Sequence, residues 1–358
     1  MNNSMHFTEG DWERIAFDWS AWWEGELNRS MVVIENPVYI RKPQELSREF
    51  LLEKPVDQVL EYYQAQLEKR QVFGDAWPKW LPFFGAGVVA AFLGADLHCS
   101  PETETIWFEH ADPTKTGAES EGIDLNNVWW KRIKALTEAA VDFWGDRVCI
   151  GFTDLGGNMD ILASLQTSQS LLLELYDSPE IVKRKSDEIT NIWLQYYDEL
   201  SEIILETGRG TTPWAPIWTP GRCYMLQSDF SAMISPEMFE KFVVPDLITC
   251  CERIDHTFYH LDGKGQINHL DILLLLGSLD GIQWIPGEGQ QSPASWLPLL
   301  KCIIDAGKLC QLYVSAKDAR IIVRELGGRG FAFYITDTLD PDEADSLLMD
   351  LTSEKDRN

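Results

Sequence analysis

The chain has 358 residues, of which 45% are hydrophobic and 24% charged, enough for one large α/β barrel or for two domains. Its 57 acidic and 30 basic residues give a net charge of −27 at pH 7. This charge argues against nucleic acid or an anionic membrane as a partner, and less strongly against a polyanionic substrate. The sequence contains no cluster of arginines and lysines that would indicate a local basic pocket.

The cysteines and the N-terminus bear on the compartment. Seven cysteines are scattered along the chain without a CxxC spacing, and Cys250 and Cys251 are adjacent. This pattern is typical of buried thiols in a reducing compartment rather than of a disulfide framework. The first residues lack a basic-then-apolar signal pattern, and no apolar run approaches the length of a membrane span. We therefore expect a cytoplasmic protein.

The N-terminal part of the chain is the more helical one. Residues 1–75 are expected to form a helical cap or extension, and residues 76–358 the main domain. An early strand is expected either in Met31–Glu35 or in Phe83–Val89, since both segments are apolar or aromatic.

Short apolar segments alternate with helical periodicity after residue 145. Two helices are expected in Met233–Ile254 and Trp296–Ala306, and the Ser-Pro-Glu sequences at Ser178 and Ser235 mark helix starts, as does Asp340 before Pro341. Strands that alternate with helices pair in parallel, and no Gly-rich dinucleotide turn follows the first strands. The sequence therefore predicts an α/β fold, a (β/α)8 TIM barrel with an N-terminal helical cap. The predicted strands are Arg147–Asp154, Pro213–Trp218, Cys223–Asp229, Thr257–Asp262, Gly281–Pro286, Leu309–Ser315 and Gly330–Thr336.

In barrels of this kind the chemistry lies at the C-terminal ends of the strands. His260 and Asp262 lie two apart at such an end, just before Gly263, so both side chains point to one side of the strand. They can bind a metal, with His269 or a water completing the ligand set, or act without one, with the aspartate orienting the histidine as a base. The structural alternative is a core histidine followed by a loop-capping aspartate. The residues at all predicted strand ends are Asp154, Trp218, Asp229, His260, Asp262, Glu288 and Asp337.

Further polar and aromatic residues near these ends are candidates for substrate binding. Asp229 can carry a proton or accept a substrate hydrogen bond, although Ser228, Asp229 or Ser231 can equally cap the following helix. The other candidates have packing or turn roles as alternatives, and His269 can simply open the next helix. They are Asp154, Asn158, Trp218, Gln227, Trp284 and Glu288.

Three sequence blocks between residues 146 and 340 resemble the uroporphyrinogen decarboxylase superfamily, which includes corrinoid-linked methyltransferases. The likeness implies the same eight-stranded barrel. The blocks are Gly156-Gly157-Asn158-Met159-Asp160 with the later Tyr176-Asp177-Ser178-Pro179-Glu180, then Leu226-Gln227-Ser228-Asp229 running into Ile234-Ser235-Pro236-Glu237, and Tyr259-His260-Leu261-Asp262-Gly263 through Gly281-Ile282-Gln283-Trp284-Ile285-Pro286-Gly287.

The departures from the family pattern limit what the resemblance implies. The decarboxylase holds its polycarboxylate substrate with an N-terminal arginine-rich motif, and Arg41-Lys42 and Lys69-Arg70 stand in unrelated contexts. In the methyltransferases a His-x-Cys pair and a later Cys hold zinc. Here His260 matches the histidine, Asp262 replaces the first cysteine, and Asp337 stands at the final strand end. A metal site at His260, Asp262 and His269 would then be rich in oxygen and suited to ethers, hydroxyls or carboxylates.

These observations favour a barrel enzyme that transfers a methyl group from a small donor to a corrinoid on a partner protein. Zinc or a similar divalent metal, a corrinoid protein and a homodimer are the cofactor and partners that this interpretation implies. Asp229, His260 and Asp262 would be its catalytic residues. The alternatives are a metal-independent decarboxylase, a glycoside hydrolase with two carboxylates at a set separation, and a non-catalytic binding barrel.

Overall fold

The computed structural model describes residues 3–100, 105–110 and 123–352. Strands and helices alternate along most of this length. The strands are β1 (Met31–Asn36), β2 (Gln71–Gly74), β3 (Lys79–Trp80), β4 (Ala95–Ser100), β5 (Thr105–His110), β6 (Cys149–Ile150), β7 (Cys223–Gln227), β8 (His256–Asp262), β9 (Gly281–Ile285), β10 (Leu309–Val314) and β11 (Phe331–Ile335). The helices are α1 (Glu9–Trp23), α2 (Val56–Leu67), α3 (Val89–Phe92), α4 (Val128–Trp144), α5 (Asn158–Gln166), α6 (Ser168–Asp177), α7 (Pro179–Leu205), α8 (Pro236–Phe242), α9 (Val244–Cys251), α10 (Leu270–Leu275), α11 (Leu297–Asp305), α12 (Ala316–Leu326) and α13 (Pro341–Thr352).

The main sheet runs in the order β2-β1-β11-β10-β9-β8-β7. The strands β1, β11, β10, β9, β8 and β7 are each parallel to the next in this order. Strand β2 pairs antiparallel with β1. The short strands β3 and β6 also pair in parallel. The N–H groups of Gly151 and Phe152 extend this pair by donating to the carbonyl oxygens of Trp80 and Thr212, at 2.8 and 3.0 Å. The parallel strands form a TIM barrel-like α/β fold, as the alternation of elements predicts.

Tryptophans close the N-terminal end of the barrel. The first residues of the strands, including Met31 and Phe258, form one buried apolar cluster with tryptophans of α1 such as Trp22. The indole Nε1 of Trp23 donates to the carbonyl oxygen of Trp218 at 2.8 Å. Much of the tryptophan content therefore serves packing at the end of the barrel opposite the strand C-termini, where the polar residues gather.

The structure corrects two local expectations and decides between the two segments offered for an early strand. Pro213–Trp218 is not a strand but part of a loop, because prolines at 213, 216 and 220 cannot donate backbone hydrogen bonds to a sheet. Phe83–Val89 is a loop that ends at the start of α3. The helix expected over Met233–Ile254 is divided into α8 and α9, because the Pro245 ring prevents a continuous helix.

Other expectations at helix ends are confirmed. The hydroxyl of Ser235 accepts a hydrogen bond from the Met238 N–H at 3.3 Å, so it caps α8. Helix α7 begins at Pro179, and α13 begins at Pro341. Helix α11 covers the middle of the helix predicted over Trp296–Ala306.

The N-terminal segment contributes to the sheet as well as to helices. Strand β1 fulfils the expectation of a strand in Met31–Glu35 and pairs with β11. The division into a cap of residues 1–75 and a barrel of residues 76–358 stays a prediction. Among the helices of the described residues, none combines the length and the apolar content that crossing a bilayer requires.

Candidate active site

Two neighbouring strands bring three potential metal ligands together at the C-terminal end of the barrel. Strand β8 carries His260 and Asp262, and its register places Gln227 of β7 opposite His260. Asp229 follows β7 and opens the short 3-10 helix Asp229–Met233. One ligand atom each from Asp229, His260 and Asp262 lies within 4.8 Å of the others. We call these three residues the His-Asp-Asp group.

A chain of amides across the barrel interior orients the His260 ring. The Nδ1 atom of His260 contacts the Oε1 atom of Gln283, whose Nε2 in turn donates to the Oε1 atom of Gln311. Because an amide oxygen only accepts, this arrangement requires the proton of neutral His260 on Nδ1. The Nε2 atom then keeps a free lone pair, and it lies 3.9 Å from Oδ2 of Asp262.

The contact with Gln283 leads to a testable prediction. Replacing Gln283 by leucine removes the acceptor that fixes the His260 tautomer, and such partners of a metal-ligating histidine are worth about 10- to 100-fold in metal affinity. We expect the Gln283→Leu variant to lose about that factor in zinc affinity by competitive titration with a chelating dye. The exposed Gln290 provides the matched control, Gln290→Leu, which should bind zinc as the unaltered chain does.

Asp160 of α5 positions the segment that carries Asp229. Its carboxylate accepts the backbone N–H groups of Asp229 and Phe230, at 3.0 and 2.7 Å. Burial of Asp160, together with the nearby Asp229 carboxylate, raises the pKa of Asp160. Two acids so close favour a shared proton over two full negative charges.

The pKa of Asp229 itself is also raised. Partial desolvation by the surrounding protein is the largest cause, and the Asp262 carboxylate adds to it, although His260 acts in the opposite direction. The amide of Gln266 donates weakly to Oδ1 of Asp229, at 3.5 Å. The Asp229 side chain remains open to solvent. Its carboxyl group can therefore reach a bound molecule, and it holds a proton more readily than a free aspartate does.

Asp154 lies beneath this group and is buried. Its Oδ1 accepts hydrogen bonds from the N–H of Gly156 at 2.9 Å and from the Gln227 amide at 3.1 Å, with a longer one from the Gly87 N–H at 3.4 Å. Burial nevertheless raises the pKa of Asp154 to about 7, against the effect of these donors. A Cβ atom on Gly156 would lie only 2.5 Å from the Gly87 Cα, so the glycine here is needed for close backbone packing.

The His-Asp-Asp group has the donor chemistry of a divalent metal site. One imidazole and two carboxylates suit zinc or another first-row divalent ion better than they suit a thiolate-selected metal. Ligands about 2.1 Å from a tetrahedral ion lie about 3.4 Å apart, so donors within 4.8 Å must close by roughly 1 Å on binding. The exposed position of Asp229 makes such a movement easy, and three protein ligands leave a position for a substrate.

Two cavities flank the group. The larger, of about 430 Å³, is bordered by Trp214, whose ring stands edge-on to His260 with centroids 5.0 Å apart. The smaller, of about 270 Å³, is bordered by Asp229, Asp160 and Gln227. The larger one also contains Arg41, Arg70 and Lys79 in its wall. A basic pocket thus exists although the sequence shows no basic cluster, because residues far apart in the chain form it.

Comparisons with known proteins bear on the fold of this site. No protein-family model matches the chain, and no curated protein matches it by sequence. Among solved structures, a methyltransferase from Methanosarcina mazei matches with a TM-score of 0.60 and 10% identity, covering 94% of this chain and 97% of that one. A B12-independent methionine synthase from a Shewanella species, in complex with selenomethionine, matches with a TM-score of 0.43 and 12% identity, covering 91% and 96%.

The first of these matches decides the fold, because it spans nearly the whole of both chains. The chain shares its barrel fold with that methyltransferase. The barrel that the sequence resemblance implies is therefore confirmed, at the level of the fold. In this fold the His-Asp-Asp group lies at strand C-termini, the face at which barrel enzymes hold their active sites.

The structure brings His269 to a different place from the one expected of a third metal ligand. His269 is fully buried, its Nε2 pairs with the Ser231 carbonyl oxygen at 2.8 Å, and its ring stacks on Phe239 with centroids 4.4 Å apart. Burial lowers the pKa of His269. Asp229, which the sequence suggested as a proton carrier, takes the third position beside His260 and Asp262.

The residues expected to bind substrate divide into two sets. Asp154 and Gln227 lie under the His-Asp-Asp group and hydrogen bond to one another. Asn158, Trp218 and Trp284 are buried away from it: Asn158 donates to Ser186 and Thr190, and Trp218 packs at the far end of the barrel. Trp284 packs edge-on against Trp296. Glu288 is exposed in the turn after β9, and Asp337 accepts the Ala316 N–H.

Sequence reasoning did not single out four residues that the structure brings to the site. They are Asp160, Trp214, Gln283 and Arg41. For Gln283 a signal existed, since polar residues at inward positions of a barrel strand are unusual in an apolar core. For Asp160, Trp214 and Arg41 no local pattern distinguishes them from surface or packing residues.

Proposed function

We propose that this chain is a metal-assisted methyltransferase that moves a methyl group from a small donor to a corrinoid on a partner protein. The observation that carries the proposal is the His-Asp-Asp group, with its donor atoms within 4.8 Å of one another at the strand ends. The shared fold with a methyltransferase from Methanosarcina mazei makes such an activity compatible with the scaffold, but it supports the fold alone.

The proposed roles follow from the chemistry of the side chains. Asp229, His260 and Asp262 would hold a divalent ion, which would act as a Lewis acid on the heteroatom that carries the methyl group. As a ligand of the ion Asp229 would be ionised, so the leaving heteroatom would take its proton from solvent. The heteroatom would leave with the bonding electron pair, and the methyl group would pass to an acceptor that supplies an electron pair, which a reduced corrinoid would do. Asp160 would act only by positioning Asp229.

The test is a methyl-transfer assay with free cob(I)alamin in place of the partner protein. We expect the zinc-loaded chain to form methylcobalamin from methyl ethers or methylamines, followed by absorbance and by mass spectrometry of the demethylated product. The Asp229→Asn variant should lose roughly 10²- to 10³-fold in zinc affinity, as expected for the loss of one ligand, and its transfer rate should fall accordingly at limiting zinc. Absence of bound metal together with absence of transfer from every donor would contradict the proposal.

The basic wall of the larger cavity favours a second candidate, a metal-independent decarboxylase. Arg41 would bind the substrate carboxylate that such an enzyme needs. Protonated Asp229 would then supply the proton that replaces carbon dioxide. Release of carbon dioxide from organic acids in the presence of a chelator would favour this candidate over methyl transfer.

A further inference from the structure

The larger cavity, of about 430 Å³, is positively charged although the chain as a whole is strongly acidic. The charged side chains in its wall are three cations, Arg41, Arg70 and Lys79, and one carboxylate, Glu35. Such a surplus of positive charge inside a chain of net charge −27 is unexpected from composition. It points to a ligand that carries negative charge.

Glu35 pairs with two of these cations. Its carboxylate contacts the Lys79 ammonium, and Arg70 approaches it to 3.4 Å. The hydroxyl of Tyr334 also donates to Glu35, at 3.3 Å. Although burial acts to raise the pKa of Glu35, the charges of Lys79 and Arg70 hold it below its usual value. Lys79 and Arg70 therefore share the Glu35 carboxylate as their partner. The remaining cation of the cavity wall is Arg41.

Arg41 has no carboxylate partner within 4.0 Å among the described residues, and its guanidinium carbon lies 3.3 Å from the centre of the Phe83 ring. Glu45 acts on it only at longer range, because the Glu45 oxygens already accept hydrogen bonds from Tyr39, Tyr62 and Tyr63. Burial lowers the pKa of Arg41. A partly buried guanidinium without a carboxylate partner is costly, and an anionic ligand would reduce that cost.

The rest of the cavity wall is mostly apolar and rich in aromatic side chains. Phe83, Trp214 and Tyr313 line it, and no hydrogen-bond partner of the Tyr313 hydroxyl occurs in the described part of the chain. A volume of about 430 Å³ lies in the range of pockets that enclose a small organic molecule. Aromatic walls favour a flat or apolar body on such a molecule.

We propose that this cavity binds a small organic acid, with its carboxylate on the guanidinium of Arg41 and its apolar body among the aromatic side chains. Planar guanidinium groups match carboxylates through paired hydrogen bonds, which a lysine does not reproduce. Trp214 borders the cavity and contacts the His260 ring, so the far end of the ligand would face the His-Asp-Asp group. A small organic acid would then be the class of substrate that reaches the His-Asp-Asp group. Only the reaction of the bound acid, and not its binding, rests on the proposed function.

The test measures binding of para-methoxybenzoate to chelator-treated protein by calorimetry, with tryptophan fluorescence as a second readout. Its uncharged analogue, para-methoxybenzamide, has the same shape. We expect the acid to bind more tightly than the amide, and Arg41→Met to weaken the acid roughly tenfold to a hundredfold. Arg41→Lys should bind it with intermediate affinity. The matched control is Arg48→Met, since Arg48 is exposed and lies outside the cavity wall.

Each outcome bears on the inference. Equal affinity of Arg41→Met and the unaltered chain for the acid, or equal affinity of the unaltered chain for acid and amide, would overturn it. Failure of the acid to bind at millimolar concentration would overturn it as well. Thermal unfolding of each variant confirms that the cavity is folded. Because the measurement uses metal-free protein and no corrinoid, failure of the separate methyl-transfer assay would remove the proposed function and leave this inference standing.

Discussion

His260→Ala is expected to abolish stoichiometric binding of zinc. A neutral imidazole with its Nε2 lone pair free is the strongest single ligand in the His-Asp-Asp group. Structural zinc sites gain about 10–16 kcal/mol from four ligands, or roughly 3 kcal/mol from each, so the loss of one ligand weakens binding by about 10²- to 10³-fold. Metal content of chelator-free protein, followed by competitive titration, measures this loss. Asp262→Ala should give a similar result.

His269→Ala is the matched control for that experiment. It makes the same chemical change at a histidine that lies in the core, stacked on Phe239 and bonded to the Ser231 carbonyl. We expect it to keep one metal per chain while it lowers the free energy of unfolding by about 2–4 kcal/mol, since a buried ring and its hydrogen bond are lost. Loss of metal from His269→Ala at unchanged stability, or full metal binding by His260→Ala, would contradict the assignment of the ligands.

The two residues on one strand were the predictable part of this site. His260 and Asp262 share a face because alternate residues of a strand point the same way, which a single sequence reveals. Asp229 lies beside these two residues because of the register of β7 against β8, which pairs Gln227 with His260. The sequence predicts Asp229 as a candidate residue. Its proximity to His260 and Asp262 can be seen only in the folded barrel.

The parts that sequence reasoning missed depend on contacts between distant segments. Arg41 becomes a cavity residue because the segment after β1 folds over the strand ends beside Tyr313, which lies far along the chain. Asp160 becomes a positioning residue through backbone hydrogen bonds to Asp229 and Phe230. Neither role follows from local charge or periodicity. The same reason explains His269, whose spacing from His260 resembles that of a ligand while helix packing directs its side chain into the core.

The barrel was predictable for a different reason, since strand and helix alternation is a local property. Two single elements were predicted wrongly, because one local signal was weighted over another. Pro213–Trp218 has the bulky residues of a strand, yet its prolines remove the N–H groups that a central strand must donate. Met233–Ile254 has helical periodicity throughout, and the Pro245 ring breaks it.

Asp154→Asn is expected to remove a large part of the pH dependence of stability. In the folded chain burial raises the pKa of Asp154 to about 7 from its usual 3.8, so the native state holds this proton more tightly than the unfolded state does. Below the lower value both states are protonated and the full stability is present. As the pH rises from about 4 to about 7 the native state loses stability by up to about 1.4 kcal/mol per pH unit from this group.

The asparagine variant keeps the geometry while it removes the titration. Its Oδ1 can accept the same N–H groups of Gly156 and Gln227 that the carboxylate accepts. Urea unfolding of chelator-treated protein between pH 4 and pH 8 should therefore show the variant close to the unaltered chain at the acidic end. At the neutral end the variant should be more stable, by an amount that approaches about 4 kcal/mol.

Asp142→Asn, at an exposed position on α4, serves as the control and should follow the unaltered chain across the whole range. Asp246, whose pKa burial raises to about 6, adds to the fall in stability of all three proteins, so the comparison depends on differences between their curves. Parallel curves for Asp154→Asn and the unaltered chain would mean that Asp154 is charged in the folded protein at neutral pH. The hydrogen bonds that Gly156 and Gln227 donate to Asp154 would then be enough to stabilise its charge, and the expected effect of burial on its pKa would be wrong.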